Sequence, residues 1–292
     1  MGKEEMRQSI LEALSRKLGG SYRVSIQQIL KTNQKLDGLT ILQEGTHISP
    51  TVYLDAFYTD LRNGIPLNDV VNSILQVYDS TKIYPGHFDV SAITDFGYVK
   101  SHLYVELINR HLNRELLQDI PHTLFLDDFA VTVRCLIGAQ AEETASFLVH
   151  NGHLGIWQIG QAELIPLAIQ NTREMLGLDI RGISDVIAEL CTCDLEAGDA
   201  GTPMWVMTNR QKLSGASTAL FDDALKEFAA EHGSFYVIFS SLHEVLLLPT
   251  PDCSNINEIT RINQQVNATQ VQVGEVLGTK AYFYNKDNGF TL

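Results

Sequence analysis

The stretch FAVTVRCLI, Phe129 to Ile137, does most to limit what this chain can fold into. Phe129, Val131, Val133 and Cys135 alternate with Ala130, Thr132 and Arg134, a period of two that fits a strand and not a helix. The polar stretch GAQAEE then leads into TASFLVHN, so the chain turns back as a hairpin instead of crossing over through a helix. A tight return makes the two strands antiparallel neighbours.

Other segments repeat this arrangement. YRVSIQQIL and LTILQEG, joined by NQKLDG, predict a second hairpin, and SPTVYLDAFY extends it to a meander. FYVIF and EVLLL predict a third hairpin, MWVMTN a further strand, and AYFYN a last strand at a sheet edge. Helical spacing appears between these groups. Met6, Ile10, Leu14 and Leu18 lie on one face of a helix stopped by Gly19 and Gly20, and IPLNDVVNSILQVYDS reads as a helix with Pro66 near its start.

Val99, Leu103, Leu107 and Leu112 predict a long helix through FGYVKSHLYVELINRHLNRELL, ended by Pro121. QAELIPLAIQNTREML reads as a helix bent or shortened at Pro166, and FDDALKEFAAEHG as one closed by Gly233. ISDVIAEL is a short helix before an exposed acidic loop. Ile256, Ile259, Ile262 and Val266 share a helical face, with Ser254 as N-cap. Strict strand-helix alternation is missing, so we expect an α+β protein with antiparallel sheets built from hairpins and flanking helices. Pro85-Gly86 and Pro121 punctuate the first half and suggest two domains, 1–118 and 119–292, unless the chain is one compact unit.

The 292 residues are 45% hydrophobic and 19% charged, enough to bury a core without disulfides or metal. A formal charge of −14 disfavours nucleic-acid phosphates and anionic membranes, and the pair Arg110 and Arg114 reads as a solvated helix face. Cys135, Cys191, Cys193 and Cys253 lack zinc-site spacing and read as free thiols. No signal peptide or membrane span is apparent, and we expect a cytoplasmic protein with no cofactor.

Three stretches could carry chemistry. In FYVIFSSLHEVLLLP, a nucleophilic Ser240 or Ser241 beside His243 and Glu244 would need a base within hydrogen-bond reach. The G-x-S-x-G elbow is absent, and HEVLL fails as a zinc motif because position 247 is Leu. The plainer reading is a turn whose hydroxyls satisfy backbone groups.

In VHNGHLGIW, His150 and His153 could supply two metal ligands, with His122, Asp127 and Asp128 as the nearest others; the supply is thin, and no metal is expected. In TNRQKLSGAS a strand runs into a Ser-Gly loop that could hold an anion, yet it lacks the P-loop pattern and Lys212 with Ser214 only echoes it.

Taken together, LDGLTILQEGTHISPTVYLDAFY, IPHTLFLDDFAVTVRCLI, LVHNGHLGIW, WVMTNRQKLSGAS, SSLHEVLLLP and NATQVQVGEVLGTKAYFYN resemble a bacterial family common in gut Firmicutes, domain-of-unknown-function family 5688. NGHLGIW with ELIPLAIQN is more distantly similar to YtpQ-like proteins. The resemblance implies a cytoplasmic bacterial protein and brings no reaction, substrate or cofactor with it.

Two functions stay open. One is a non-catalytic module binding a protein or small molecule, with contacts from His150, Asn151, His153, Asn209 and Ser240. The other is a hydrolase-type enzyme whose strand-end residues gather Ser241, His243 and Glu244 with the His150 and Asn209 corners. An acidic protein that masks a partner is a third reading.

Overall fold

The hairpins expected from the sequence organise two compact units, Met1–Val90 and Ser91–Leu292. The structure, a computed structural model, describes residues 2–46, 49–81, 93–140, 143–190, 204–250 and 255–291. The Pro85-Gly86 turn, the acidic loop 191–203, Ser254 and three of the four cysteines (Cys191, Cys193, Cys253) lie outside these residues.

In the first unit β1 (Tyr22–Lys31) and β2 (Gln34–Gln43) form the expected hairpin, and β3 (Thr51–Tyr53) adds to β2. Helices α1 (Lys3–Leu18), α2 (Asp55–Arg62) and α3 (Leu67–Ser80) supply the other side of a core holding Met6, Ile10, Leu14, Leu39, Ile41 and Ile74. The run SPTVYLDAFY is extended only over its first part, because Leu54 and Tyr58, four apart, are both buried on a helical turn. Tyr58 also donates to the buried Asp37 carboxylate at 2.9 Å, which fixes the start of α2 against the sheet.

The second unit holds two more antiparallel sheets, so the described residues make an α+β protein. One sheet joins β4 (Leu103–Asn109), β5 (His122–Phe125), β6 (Phe129–Gln140) and β7 (Glu143–Leu148). The other runs in the order β13 (Gly289–Thr291), β12 (Ala281–Asn285), β10 (Phe235–Ile238), β11 (Val245–Pro249), β9 (Trp205–Thr208), β8 (Asp179–Gly182). Helix Asp222–His232 closes one face of this sheet through Phe228, whose ring meets Trp205 and Phe235 edge-on at 5.4 and 5.0 Å.

Two helical expectations are corrected. FGYVKSHLYVELINRHLNRELL is helical only at Phe96–Val99 and in short 3₁₀ turns, and Leu103–Asn109 is a strand paired with Phe129–Cys135. Leu103 to Ile108 are all buried, so the stripe Leu103, Leu107 is equally part of the period-two set Leu103, Val105, Leu107. The C-terminal helix, Ile256–Gln270, exists, but Asn263 and Asn267 are its buried residues, while Ile262 and Val266 stay exposed. Both asparagines donate to the Gly278 carbonyl, at 3.3 and 2.6 Å, because a carbonyl enclosed there needs a partner.

Candidate functional site

The three strand ends singled out by sequence can be followed one at a time. After β7, His150 precedes a helix, Asn151–Trp157, that returns against the segment at Asp119. The His150 Nδ1 lies 2.7 Å from Asp119 Oδ2, and Asn151 reaches the Asp119 and Gln118 carbonyls through its backbone and side-chain nitrogens. His153 Nδ1 accepts the His150 backbone N–H at 2.9 Å, so the ring proton sits on Nε2. Its ring stacks on Trp157, centroids 5.3 Å apart, and Trp157 is the buried tryptophan of this corner.

Burial, then the neighbouring His150, push the His153 pKa below the ordinary histidine value of 6.5, against an upward pull from Asp119. The neutral ring is therefore the stabilising form, and its contribution is complete above pH 6.5 and lost as pH falls through the lowered folded value. We expect acidification to loosen this corner by about 1 kcal/mol, the worth of the His150 N–H bond. Urea midpoints of wild type and His153→Gln, compared at neutral and acid pH, check this: the wild type should lose more between the two than the variant.

After β9, Asn209 is fully buried and entirely occupied by its own loop. Its Nδ2 donates to the Leu213 carbonyl at 2.7 Å, and its Oδ1 accepts the backbone N–H groups of Gln211 and Leu213 at 3.2 and 3.1 Å. The loop that follows takes two non-glycine residues into the left-handed region, Lys212 at φ 53° and Ser214 at φ 48°. Ser214 is held there from below, donating to the buried Glu106 at 3.0 Å.

After β10 comes the Ser-Ser-Leu-His-Glu corner. The Ser240 hydroxyl donates to Asn267 Oδ1 at 2.6 Å, tying the corner to the C-terminal helix. The Ser241 hydroxyl donates to Glu244 Oε1 at 2.7 Å and accepts the His243 backbone N–H at 3.1 Å. His243 turns its ring to Glu275, 3.3 Å away, so the ring is not the partner of the Ser241 hydroxyl. The serine is used as a turn former in this arrangement.

The second and third corners meet. Thr208 donates to the His243 carbonyl at 2.7 Å, and Ala216 N–H donates to the Leu242 carbonyl at 3.1 Å. Gly215 sits where a Cβ would collide with the His243 carbonyl oxygen and the Thr208 hydroxyl, so only glycine allows the approach. Among the described residues no hydrogen bond, ion pair or ring contact joins the His150 corner to these two.

Strand register then places a set of side chains that the sequence did not single out. Asp179 pairs with Thr208, Arg181 with Val206, and Leu246 with Val206, while Ile180, Met207 and Val245 alternate onto the core face. Asp179, Arg181, Val206, Thr208 and Glu244 therefore share the other face. With Val186 of the helix Ile183–Leu190, Lys212 and His243, they line a cavity of ≈ 350 Å³. Arg181 is already matched inside it, 2.9 Å from Asp179 and 2.5 Å from Glu189.

The strand β8 that contributes Asp179 and Arg181 has four residues, too few for a periodic signal; its charged-apolar-charged order, Asp-Ile-Arg, is the one hint it offered. Among the described residues no group of three or more His, Cys, Asp or Glu is placed to hold a metal ion. His122 bonds its own backbone region through the Ile120 carbonyl. Asp128 takes Lys280, Tyr282 and His111 at 2.8, 2.5 and 3.1 Å. Among the same residues no helix is long and apolar enough to cross a membrane.

The model of a family described as a family of unknown function (DUF5688) matches residues 3–286, nearly the whole chain, and the chain belongs to that family. No curated protein and no solved structure matches it.

Proposed function

We propose that this member of the DUF5688 family is a non-catalytic, small-molecule-binding module, and that its site is the cavity over β8, β9 and β11. One observation carries the reading: three adjacent strands and the Lys212 loop converge on a concavity in which Val186 and Val206 stand among charged groups of both signs, a size and convergence that fit a small-ligand site. His243 and Glu244, expected as site residues from sequence, are part of its lining. In this reading His150, Asn151 and His153 build a separate structural corner, and Ser240 and Asn209 hold the two turns in place.

The absence of catalysis is inferred from the use of the Ser241 hydroxyl, whose donor and acceptor capacities both go to the turn, and from the direction of the His243 ring. A hydrolase site would need both to be remade. We also infer a bacterial cytoplasmic setting, from the family resemblance, and no nucleic-acid partner, from the net charge of −14.

Val206→Trp fills the cavity from its floor and leaves the core face of β9 untouched. A thermal-shift screen of the full chain against a metabolite library tests the reading. Ligands that bind the folded state raise the midpoint by mass action, and the rise should disappear in Val206→Trp. Hits that shift both proteins equally would place the site elsewhere. Turnover of any hit by the wild type would remove the non-catalytic part of the reading.

A further inference from the structure

The charges of the cavity point to the chemistry of its occupant. The Arg181 charge is countered by Asp179 at Nε and Glu189 at Nη1, and His243 faces Glu275. Among the described residues Lys212 and Glu244 offer one group of each sign that no ion pair occupies. The Lys212 ammonium makes no ion pair and donates no hydrogen bond among the described residues, acting on Glu189 only at a distance, while its backbone N–H donates to the Asn209 carbonyl. Glu244 uses Oε1 to accept from Ser241, and its Oε2 has no hydrogen-bond partner among the same residues. Val186 and Val206 supply the apolar part of the lining.

We infer that the cavity binds a small aliphatic zwitterion of the α-amino-acid type, its carboxylate on Lys212, its ammonium on Glu244 and its hydrocarbon part against Val186 and Val206. The inference rests on the proposed ligand site and adds the class of ligand. A simple anion would meet the Lys212 ammonium but also the carboxylates of Asp179 and Glu244, and a simple cation would meet Glu244 but also Arg181 and Lys212. A zwitterion satisfies both free groups at once and adds no net charge to the cavity. The volume, ≈ 350 Å³, lies at the small end of ligand pockets and suits an occupant of that size.

The loop is built for this before any ligand arrives. Lys212 is held at φ 53°, a conformation that a lysine adopts only when its surroundings impose it. Asn209 imposes it from one side with three hydrogen bonds, and the Ser214–Glu106 bond from the other. Lys212 thus lines the cavity from a turn whose backbone is already fixed, so binding does not have to order the loop.

Calorimetric titration of the full chain with leucine, 3-methylbutylamine and 4-methylpentanoate tests the inference, since the last two are leucine without its carboxylate and without its amine. Leucine should bind, and each half-ligand should bind at least tenfold more weakly. Lys212→Met, which keeps the aliphatic stem, should weaken leucine at least tenfold and leave the amine unchanged. Glu244→Gln, which keeps an acceptor for Ser241, should weaken leucine similarly and leave 4-methylpentanoate unchanged.

Equal affinity for leucine and either half-ligand overturns the zwitterion, as does no binding of leucine at all. The broader reading is judged separately by native mass spectrometry of the purified chain. A co-purifying small molecule that is lost in Val206→Trp and is not zwitterionic would keep the site and discard the ligand class. Absence of any such molecule, with no leucine binding, would count against both.

Discussion

Gly215→Ala is expected to lower the unfolding free energy by about 3 kcal/mol and the melting temperature by roughly 6–12 °C. The added methyl has nowhere to go. It would point at the His243 carbonyl and the Thr208 hydroxyl, which are bonded to each other, and one of the two is backbone. A flexible side chain could swing aside, whereas moving the His243 carbonyl pulls on the Ser241 turn and on the Ala216–Leu242 bond beside it. The substitution should therefore also abolish ligand-induced stabilisation, because Thr208 and His243, which the methyl would displace, line the cavity beside Lys212 and Glu244. Calorimetry of the variant checks the first part and the thermal-shift response the second. Near-wild-type melting would mean that the loop does not approach His243 as closely as described.

The second large effect is expected at Glu106. This residue is buried on the face of β4 opposite Val105 and Leu107, and it joins Ser214 at 3.0 Å to Arg134 at 3.4 Å. Arg134 continues the network to Ser146, whose hydroxyl also takes Tyr104. Burial alone would weaken the charge on Arg134; Glu106 and Tyr104 more than restore it and hold the guanidinium pKa above its ordinary value.

Glu106→Ala leaves a largely buried cation and the Ser214 hydroxyl without their acceptor. We expect a loss of about 2–4 kcal/mol, below the value for a fully enclosed pair because the Arg134 side chain keeps 23% of its exposure. Equilibrium denaturation measures it. The double variant Glu106→Leu with Arg134→Met should recover at least half of the loss, since two apolar groups need no partners. It should not restore ligand binding, because Ser214 would still lack the bond that fixes the Lys212 loop. Recovery of both would mean that the network matters to stability alone.

Much of the architecture was legible because it rests on local periodicity. The hairpins β1–β2 and β6–β7 each pair an alternating run with its sequence neighbour, β10–β11 pairs two short apolar runs across a polar corner, and the stops at Gly19 and Gly233 are glycines of positive φ at helix ends. What was not legible rests on burial from both sides. β4 is enclosed on both faces, so its apolar residues carry no period, and a spacing of four within them looks helical. The C-terminal helix buries asparagines because of a carbonyl at Gly278, which lies outside the helix and leaves no trace in its pattern.

The site was half legible for a related reason. Polar strand ends mark turns, and His243, Glu244 and Asn209 stand at them. Which ends meet depends on sheet order: β11 pairs with β9, and neither is next to β7. The residues that complete the cavity, Asp179, Arg181 and Val186, come from a four-residue strand and a short helix whose position follows from that order alone.

NMR shows whether the cavity over β8, β9 and β11 is the ligand site. Spectra of the full chain with labelled backbone amides and valine methyls would be followed during titration with the strongest hit of the thermal-shift screen. Saturable shifts are expected at Val186, Val206, Thr208, Lys212, His243 and Glu244, with the His150–Trp157 corner unmoved. Shifts centred on His150 and His153, with Val206 and Lys212 unchanged, would contradict it.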